Sequence, residues 1–271
     1  MGKGRLTVTD QKKTIRVWDT KEQLGEALAA SLLEAAAGAI SARGRFVVAL
    51  SGGSVLQMLG AGLAGRELSG HKTGLWRVCF ADERLVAADD EQRNDRQARE
   101  ALFSVLPVRE EQVLSPQAGA GASRSAHEYE RSLRELFGRQ LDPRGLPRFD
   151  LILLGMGEDG HTASLFPGHR LLQMTGSWVL GLEDAPKPPP ARVSLSLPVI
   201  NAARKVVFGV AGSQKAPTVA RALTQEATSA CPASLVRPRP GELNWHLDRT
   251  AAGRLEPAQH PVQESDSPGK A

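Results

Sequence analysis

The run Phe149-Asp150-Leu151-Ile152-Leu153-Leu154 leads without a break into Gly155-Met156-Gly157-Glu158-Asp159-Gly160-His161-Thr162-Ala163-Ser164-Leu165-Phe166-Pro167. The first part is the most apolar strand-like segment of the chain, and it stops at a glycine. A short continuous apolar run of this kind predicts a strand buried on both faces, as in a parallel sheet. The second part is a glycine-rich loop that carries two carboxylates and an imidazole.

The same pattern recurs on both sides of it. Toward the N-terminus, Arg45–Leu50 and Trp76–Ala81 are further buried strands, and Thr14–Trp18 is a first strand. Thr20 opens a helix with Gln23 completing a capping-box pattern, and Leu24, Leu28, Leu32, Ala36 and Ile40 form one apolar face. A second helix follows Ser51-Gly52-Gly53-Ser54 and runs through Leu63. Asn94 is placed to cap a helix through Leu106, and Ser123 or Ser125 to open another that ends near Gly138. Toward the C-terminus, Trp178–Leu182, Val193–Leu197 and Lys205–Ala211 are strands. Ser213–Ala227 is helical, with Pro217 in its first turn, and Leu243–Leu247 is expected as a last, edge-type strand. This βαβα rhythm predicts an α/β fold: a mainly parallel sheet with helices on both faces, Rossmann-like in layout. It is expected as a single domain over residues 14–255, preceded by a basic segment 1–13. Gly119–Ser125 is expected as a surface linker. Residues 256–271 are polar, rich in Pro and Ser, and expected to be disordered.

Composition narrows the function classes. Of 271 residues, 41% are hydrophobic but only 4% aromatic, so Ala, Leu and Val must build the core. The net charge of +4 and the pI near 9.3 describe an Arg-rich solvated surface that mildly favours a small anionic substrate. Basic residues interleaved with aromatics, which nucleic-acid binding would want, are absent, so no nucleic-acid partner is expected. Cys79 and Cys231 lie far apart, and Cys79 reads as a core residue, so neither a disulfide framework nor a zinc site is expected. No apolar run is expected to reach the ~18 residues of a membrane span or to serve as a secretory leader. The expectation is a reduced, cytoplasmic protein without a membrane partner.

Three loops stand at the carboxyl ends of predicted strands, where ligands bind in such sheets. Ser51-Gly52-Gly53-Ser54 can bring backbone N–H groups and a helix start against an anion; a tight turn with a serine cap fits it equally well. A nucleophilic Ser51 is disfavoured, because the G-x-S-x-G elbow is missing. Asp82-Glu83-Arg84 is either a solvated turn or part of a polar site, and its position at a strand end favours the second. The loop from Gly155 to Pro167 holds His161, whose side-chain type suits proton transfer near neutrality, among glycines whose N–H groups can stabilise charge on a carbonyl oxygen. His71, His127, His169, His246 and His260 lack such settings and are expected at the surface or in packing.

At these residues the chain resembles the 6-phosphogluconolactonase family. The resemblance rests on Ala49–Ser54, Phe80–Val86, Gly155–Pro167, Lys187–Pro198, Ile200–Arg204 and Gly212–Lys215, in family order, and is nearest to the animal-type cytosolic enzymes. It implies a sugar-phosphate isomerase/deaminase-type fold and hydrolysis of 6-phospho-D-glucono-1,5-lactone to 6-phospho-D-gluconate, in the oxidative pentose phosphate pathway. It implies a small-molecule sugar phosphate as partner, no cofactor and no metal. Carried over by position, His161 is the general base that activates water, Asp159 orients the loop or the base, and Arg84 touches substrate. Ser51, Gly52, Gly53, Ser54, Arg192 and Lys215 are the phosphate cradle, and Asp82, Glu83, Gly157 and Gly160 line the site. A monomer or weak homodimer is expected. Ala87, Arg93 and Asp95 depart from the family pattern, so that loop is expected to be looser or to meet substrate differently.

Two rivals carry different residue requirements. An amino-sugar-6-phosphate deaminase/isomerase shares the fold but has a glutamate where this chain has Phe166, and Asp-Glu-Tyr where it has Arg84. A non-catalytic sugar-phosphate binding module would keep Arg192 and Lys215 yet have no need of His161. A metal hydrolase built on Asp159 and His161 lacks a third ligand of convincing spacing.

Overall fold

The computed structural model describes residues 7–10, 13–119 and 121–255. The segment 256–271, with His260, and most of 1–13 therefore lie outside the described residues. Two sheets organise the chain. The larger has eight strands in the order β1 (Thr7–Asp10), β2 (Lys13–Trp18), β11 (Glu242–Asp248), β10 (Lys205–Val210), β7 (Leu151–Leu154), β3 (Phe46–Leu50), β4 (Trp76–Phe80) and β6 (Val113–Leu114). Every pairing in it is parallel except β1 with β2. The strand β1 lies inside the segment that the sequence assigned to a basic lead-in. It pairs Thr7–Asp10 with Lys13–Arg16, so the sheet begins earlier than residue 14.

Residues alternate across β3, β4 and β7 because side chains on a strand point to opposite faces. Phe46, Val48, Leu50, Trp76, Val78, Phe80, Leu151 and Leu153 pack on one side with the helices α1 (Lys21–Arg43), α2 (Ser54–Leu63) and α3 (Asn94–Ala98). Val47, Ala49, Cys79, Ile152 and Leu154 pack on the other with α4 (Ala122–Phe137), α5 (Leu197–Ala202), α6 (Ala216–Thr224) and the small sheet. The small sheet is antiparallel, in the order β5 (Asp82–Arg84), β9 (Arg192–Leu195), β8 (Val179–Leu182). The sequence placed β8 and β9 in the parallel sheet and read Asp82–Arg84 as a loop. Instead the chain leaves β4 at Ala81 and pairs residue by residue with Arg192–Ser194.

The expected edge strand at 243–247 is interior: β11 lies between β2 and β10 and is parallel to both. Its alternation of Leu243, Trp245 and Leu247 with polar residues looks half-exposed, but the polar residues are buried too. Trp18 Nε1 donates to His246 Nδ1 at 3.0 Å, with Ser31 Oγ 3.3 Å from Nε2. Asp248 accepts from the backbone of Gly212 and Ala251.

Helix α1 begins where Thr20 accepts from the Gln23 N–H, while the Gln23 side chain accepts from Asp19, one residue earlier than a capping box requires. Its length and mean hydropathy of 1.3 would allow it to cross a membrane, contrary to the expectation from the sequence. Half of that apolar window is buried inside the fold. Leu24, Leu28, Leu32 and Ala36 pack on the sheet, and Gly25 lets α2 approach so closely that a Cβ there would meet Met58 O at 2.5 Å. On the opposite face, the Tyr129 hydroxyl on α4 accepts from the Phe80 N–H at 2.8 Å and donates to the Phe80 carbonyl at 2.9 Å. It completes β4 where the two-residue β6 no longer reaches.

From β3 the chain moves outward to β4 and β6, and from β7 it moves the other way to β10 and β11. The order reverses between β3 and β7. In open α/β sheets ligands bind at such a switch point, outside the carboxyl ends of the strands. Ser51–Ser54 follows β3, and Gly155–Pro167 follows β7.

Candidate active site

An open, solvent-facing cleft lies at this switch point. Ser51, Gly52, Gly53 and Ser54 form one wall, Asp82 and Arg84 another, and Gly157 and His161 a third; Arg192 and Lys215 close it. The three loops separated in sequence therefore meet.

The imidazole of His161 is held from behind. Its Nδ1 lies 2.6 Å from Asp159 Oδ1. Burial pushes the Asp159 carboxyl up, but the hydrogen bonds and charge of His161, with Lys187, outweigh it and hold the group well below the usual carboxylate range. An ionised carboxylate can only accept, so Nδ1 carries the shared proton and Nε2 keeps its lone pair in the neutral ring. Gly157 donates its N–H to the His161 carbonyl at 2.9 Å, and Thr162 Oγ1 donates to Gly155 O at 2.9 Å, which closes the loop on itself. Helix α6 clamps it from outside: Thr218 bonds the Glu158 carbonyl and Arg221 donates to the Asp159 carbonyl at 2.9 Å. The Phe166 ring is buried with its centroid 4.8 Å from that of His161, and the Arg192 guanidinium stands 5.5 Å from the same ring.

Cations dominate the far side. Arg84 and Arg192 are direct partners across β5 and β9. The Arg192 side chain is only 4% exposed, and its guanidinium donates to the carbonyls of Lys187, Pro188 and Pro189 at 2.9–3.0 Å. Its pKa is lowered by burial and then by Arg84, and raised by Asp82. Arg84 Nη1 donates to Gln92 O at 2.7 Å. The Lys215 pKa is lowered chiefly by burial, against the pull of Glu158 and Asp248.

The structure divides the predicted site residues. Asp82 joins two walls: it accepts from Ser51 Oγ at 3.1 Å and from Ser164 Oγ at 2.9 Å. The Ser51 proton is thus directed to Asp82 rather than to His161. Gly53 lines the cleft, but its N–H donates to Gln97 Oε1 at 2.9 Å, so the loop offers a ligand fewer backbone donors than expected. Glu83 and Gly160 do not line the cleft. The Glu83 carboxylate is fully buried and accepts from the N–H groups of Arg84, Asn94 and Asp95 at 2.7–2.9 Å. It caps α3 from another element, so Asn94 is not the cap; its side chain donates to Asp82 O at 2.8 Å and fills the space over Gly52. Gly160 faces away, toward Cys231 and Thr218.

The residues at 93 and 95 are both tied into the fold. Arg93 is buried and donates to Pro116 O at 2.8 Å, and Asp95 pairs with Arg99 at 2.9 Å. Ser123 and Ser125 do not open α4; its Ala122 N–H donates to Glu183 at 3.1 Å. Among the described residues, no group of three or more His, Cys, Asp or Glu side chains is placed to hold a metal ion. Ser164 and Lys187 were not singled out from the sequence. Both contact site carboxylates through tertiary pairings that no local spacing signals.

A family model described as glucosamine-6-phosphate isomerases/6-phosphogluconolactonase matches residues 19–245. The chain belongs to this family. It is 42% identical over 244 residues to the 6-phosphogluconolactonase of Rattus norvegicus, covering 89% of this chain and 93% of that one. The structure of 6-phosphogluconolactonase from Trypanosoma brucei matches with a TM-score of 0.79 at 30% identity, covering 90% of this chain and 99% of that one. A monomeric glucosamine-6-phosphate deaminase shares the fold, with a TM-score of 0.68 at 18% identity over 90% of this chain and 99% of that one.

Proposed function

We propose that this chain is a 6-phosphogluconolactonase of the pentose phosphate pathway, acting as a single α/β domain without cofactor or metal. The observation that carries the reading is an Asp159-backed imidazole in a cleft also lined by Arg84, Arg192 and Lys215. The relatives of similar length that bear this activity support it.

In this mechanism, the phosphate end of 6-phospho-D-glucono-1,5-lactone rests on Arg192, Lys215 and the start of α2. Fixing that remote end orients the C1 carbonyl toward a water beside Nε2. Nε2 takes one proton of that water as its oxygen bonds to C1, and Asp159 stabilises the imidazolium. Arg84 or a backbone N–H of the glycine loop carries the negative charge of the tetrahedral intermediate. Collapse breaks the C1–ring oxygen bond, and His161 returns its proton to the leaving oxygen. A positioned general base contributes roughly 10²–10⁴-fold, which suits an activated ester that already hydrolyses slowly by itself.

Phe166 supports lactonase over deaminase, because a buried phenyl ring stands beside the base where the deaminase reading requires a carboxylate. A binding module has no use for a histidine oriented in this way. The same proposal includes a cytoplasmic protein that works as a monomer or weak homodimer. The test is hydrolysis of freshly generated 6-phosphogluconolactone measured against its spontaneous rate. Acceleration with no ammonia released from glucosamine 6-phosphate is expected; ammonia release without lactone hydrolysis overturns the reading.

A further inference from the structure

The segment Lys187–Arg192 touches both halves of the cleft. Through its main chain, Lys187 is held by the anion-facing side, since Arg192 Nη2 donates to the Lys187 carbonyl at 3.0 Å. Through its side chain it reaches the other half: Lys187 Nζ lies 3.3 Å from Asp159 Oδ2. The two oxygens of Asp159 are therefore divided, Oδ2 to the ammonium and Oδ1 to His161 Nδ1.

We propose that Lys187 is a positioning residue for the base. It acts on the base through Asp159, whose Oδ2 it meets while Oδ1 faces Nδ1. By offsetting the Asp159 charge it also keeps that carboxylate from holding the imidazole in its protonated form, so Nε2 stays free to accept a proton. The proposal rests on the lactonase reading only for its kinetic consequence; the arrangement itself can be tested without turnover.

Other charged groups also face this pair. Arg84 and Asp82 come from β5, Arg192 from β9 behind Phe166, Lys215 from the start of α6, and Arg221 from α6 against the Asp159 carbonyl. All of them are unchanged when Lys187 alone is replaced. Removing one positive charge from the neighbourhood of an imidazole favours its protonated form. The Lys187 side chain is 43% exposed, so screening reduces the effect.

The experiment follows the His161 ring through a pH titration by NMR in the full chain, for wild type, Lys187→Gln and Lys187→Arg. In Lys187→Gln the His161 midpoint should rise by about half a unit, and the rise should shrink in high salt. Lys187→Arg should restore the wild-type midpoint. The acid limb of kcat/KM for lactone hydrolysis should move with it, with little change at high pH. A structural role alone lowers activity without moving the midpoint. An unchanged or lowered midpoint in a folded Lys187→Gln protein overturns the proposal, whatever the activity. If the wild type fails to hydrolyse the lactone, the functional reading falls, while the titration still decides the role of Lys187.

Discussion

Gly157 and His161 compete for one volume: a Cβ added to Gly157 would fall inside the imidazole, against Cε1 and Nδ1, and 2.6 Å from Asp159 Oδ1. The absence of a side chain at 157 is what lets the ring lie against its carboxylate. Gly157→Ala should swing the imidazole out of place and lower turnover by roughly 10²-fold or more. The thermal midpoint should move little, because the displaced ring can turn toward the open cleft. Steady-state kinetics beside a melting curve make the comparison, and normal turnover in the alanine variant contradicts this placement of the ring.

His161→Ala should fold and lose roughly 10²–10⁴-fold in lactone hydrolysis. Asp159→Asn can offer its NH₂ to Nδ1 and so favour the wrong tautomer. Its loss should approach that of His161→Ala. Groups that act as a unit are not additive, so the double variant should be no slower than His161→Ala. Independent, multiplying losses in the double variant count against the pair as one device.

Arg84 and Arg192 stand directly opposite one another, and like charges so placed are destabilising until an anion joins them. Inorganic phosphate should therefore raise the melting temperature, by an amount equivalent to about 2.7 kcal/mol at a hundred times its dissociation constant. In Arg84→Met, the midpoint in phosphate-free buffer should stay level or rise, and the gain on adding phosphate should shrink. Differential scanning fluorimetry across a phosphate series reads both effects. An undiminished gain in the variant would remove Arg84 from the anion site.

Glu83 should make stability fall as pH rises. Burial pushes its carboxyl up to about 7 from 4.5, against the N–H groups of Asn94, Asp95 and Arg84 and the charge of Arg93. The folded state therefore binds this proton more tightly than the unfolded one. The resulting stability is fully present below pH 4.5 and is lost as pH passes through 7, about 3 kcal/mol in all by linkage. Urea unfolding at pH 5 and pH 8 should show this decline in the wild type, reduced in Glu83→Gln. Identical pH slopes in the two proteins would rule it out.

The sequence made the helix limits and the strand ends legible where one segment determines its own surroundings. The unbroken apolar run at 46–50 and the small residues after it located β3 and the start of α2. The glycine-rich loop after β7 likewise marked where His161 stands, while its 2.6 Å contact with Asp159 was one of two roles left open for that carboxylate. What stayed hidden depends on partners distant in the chain. Asp82–Arg84 became a strand only because Arg192–Ser194 lies beside it. Glu83 turned inward because α3 arrives with uncapped N–H groups, a demand invisible at residue 83 itself. The polar half of β11 suggested an edge because sequence alternation does not reveal that Trp18 and Ser31 meet His246.

Tyr129 is the sole tyrosine of the chain, and its hydroxyl holds both backbone groups of Phe80, two residues ahead of Asp82. A protein labelled only at tyrosine would therefore yield a single set of ring resonances, assigned without mutagenesis. That signal reports from the root of the carboxylate that ties Ser51 to Ser164. It supplies a spectroscopic gauge of whether the cleft wall shifts when a ligand enters, read at a residue the ligand never touches.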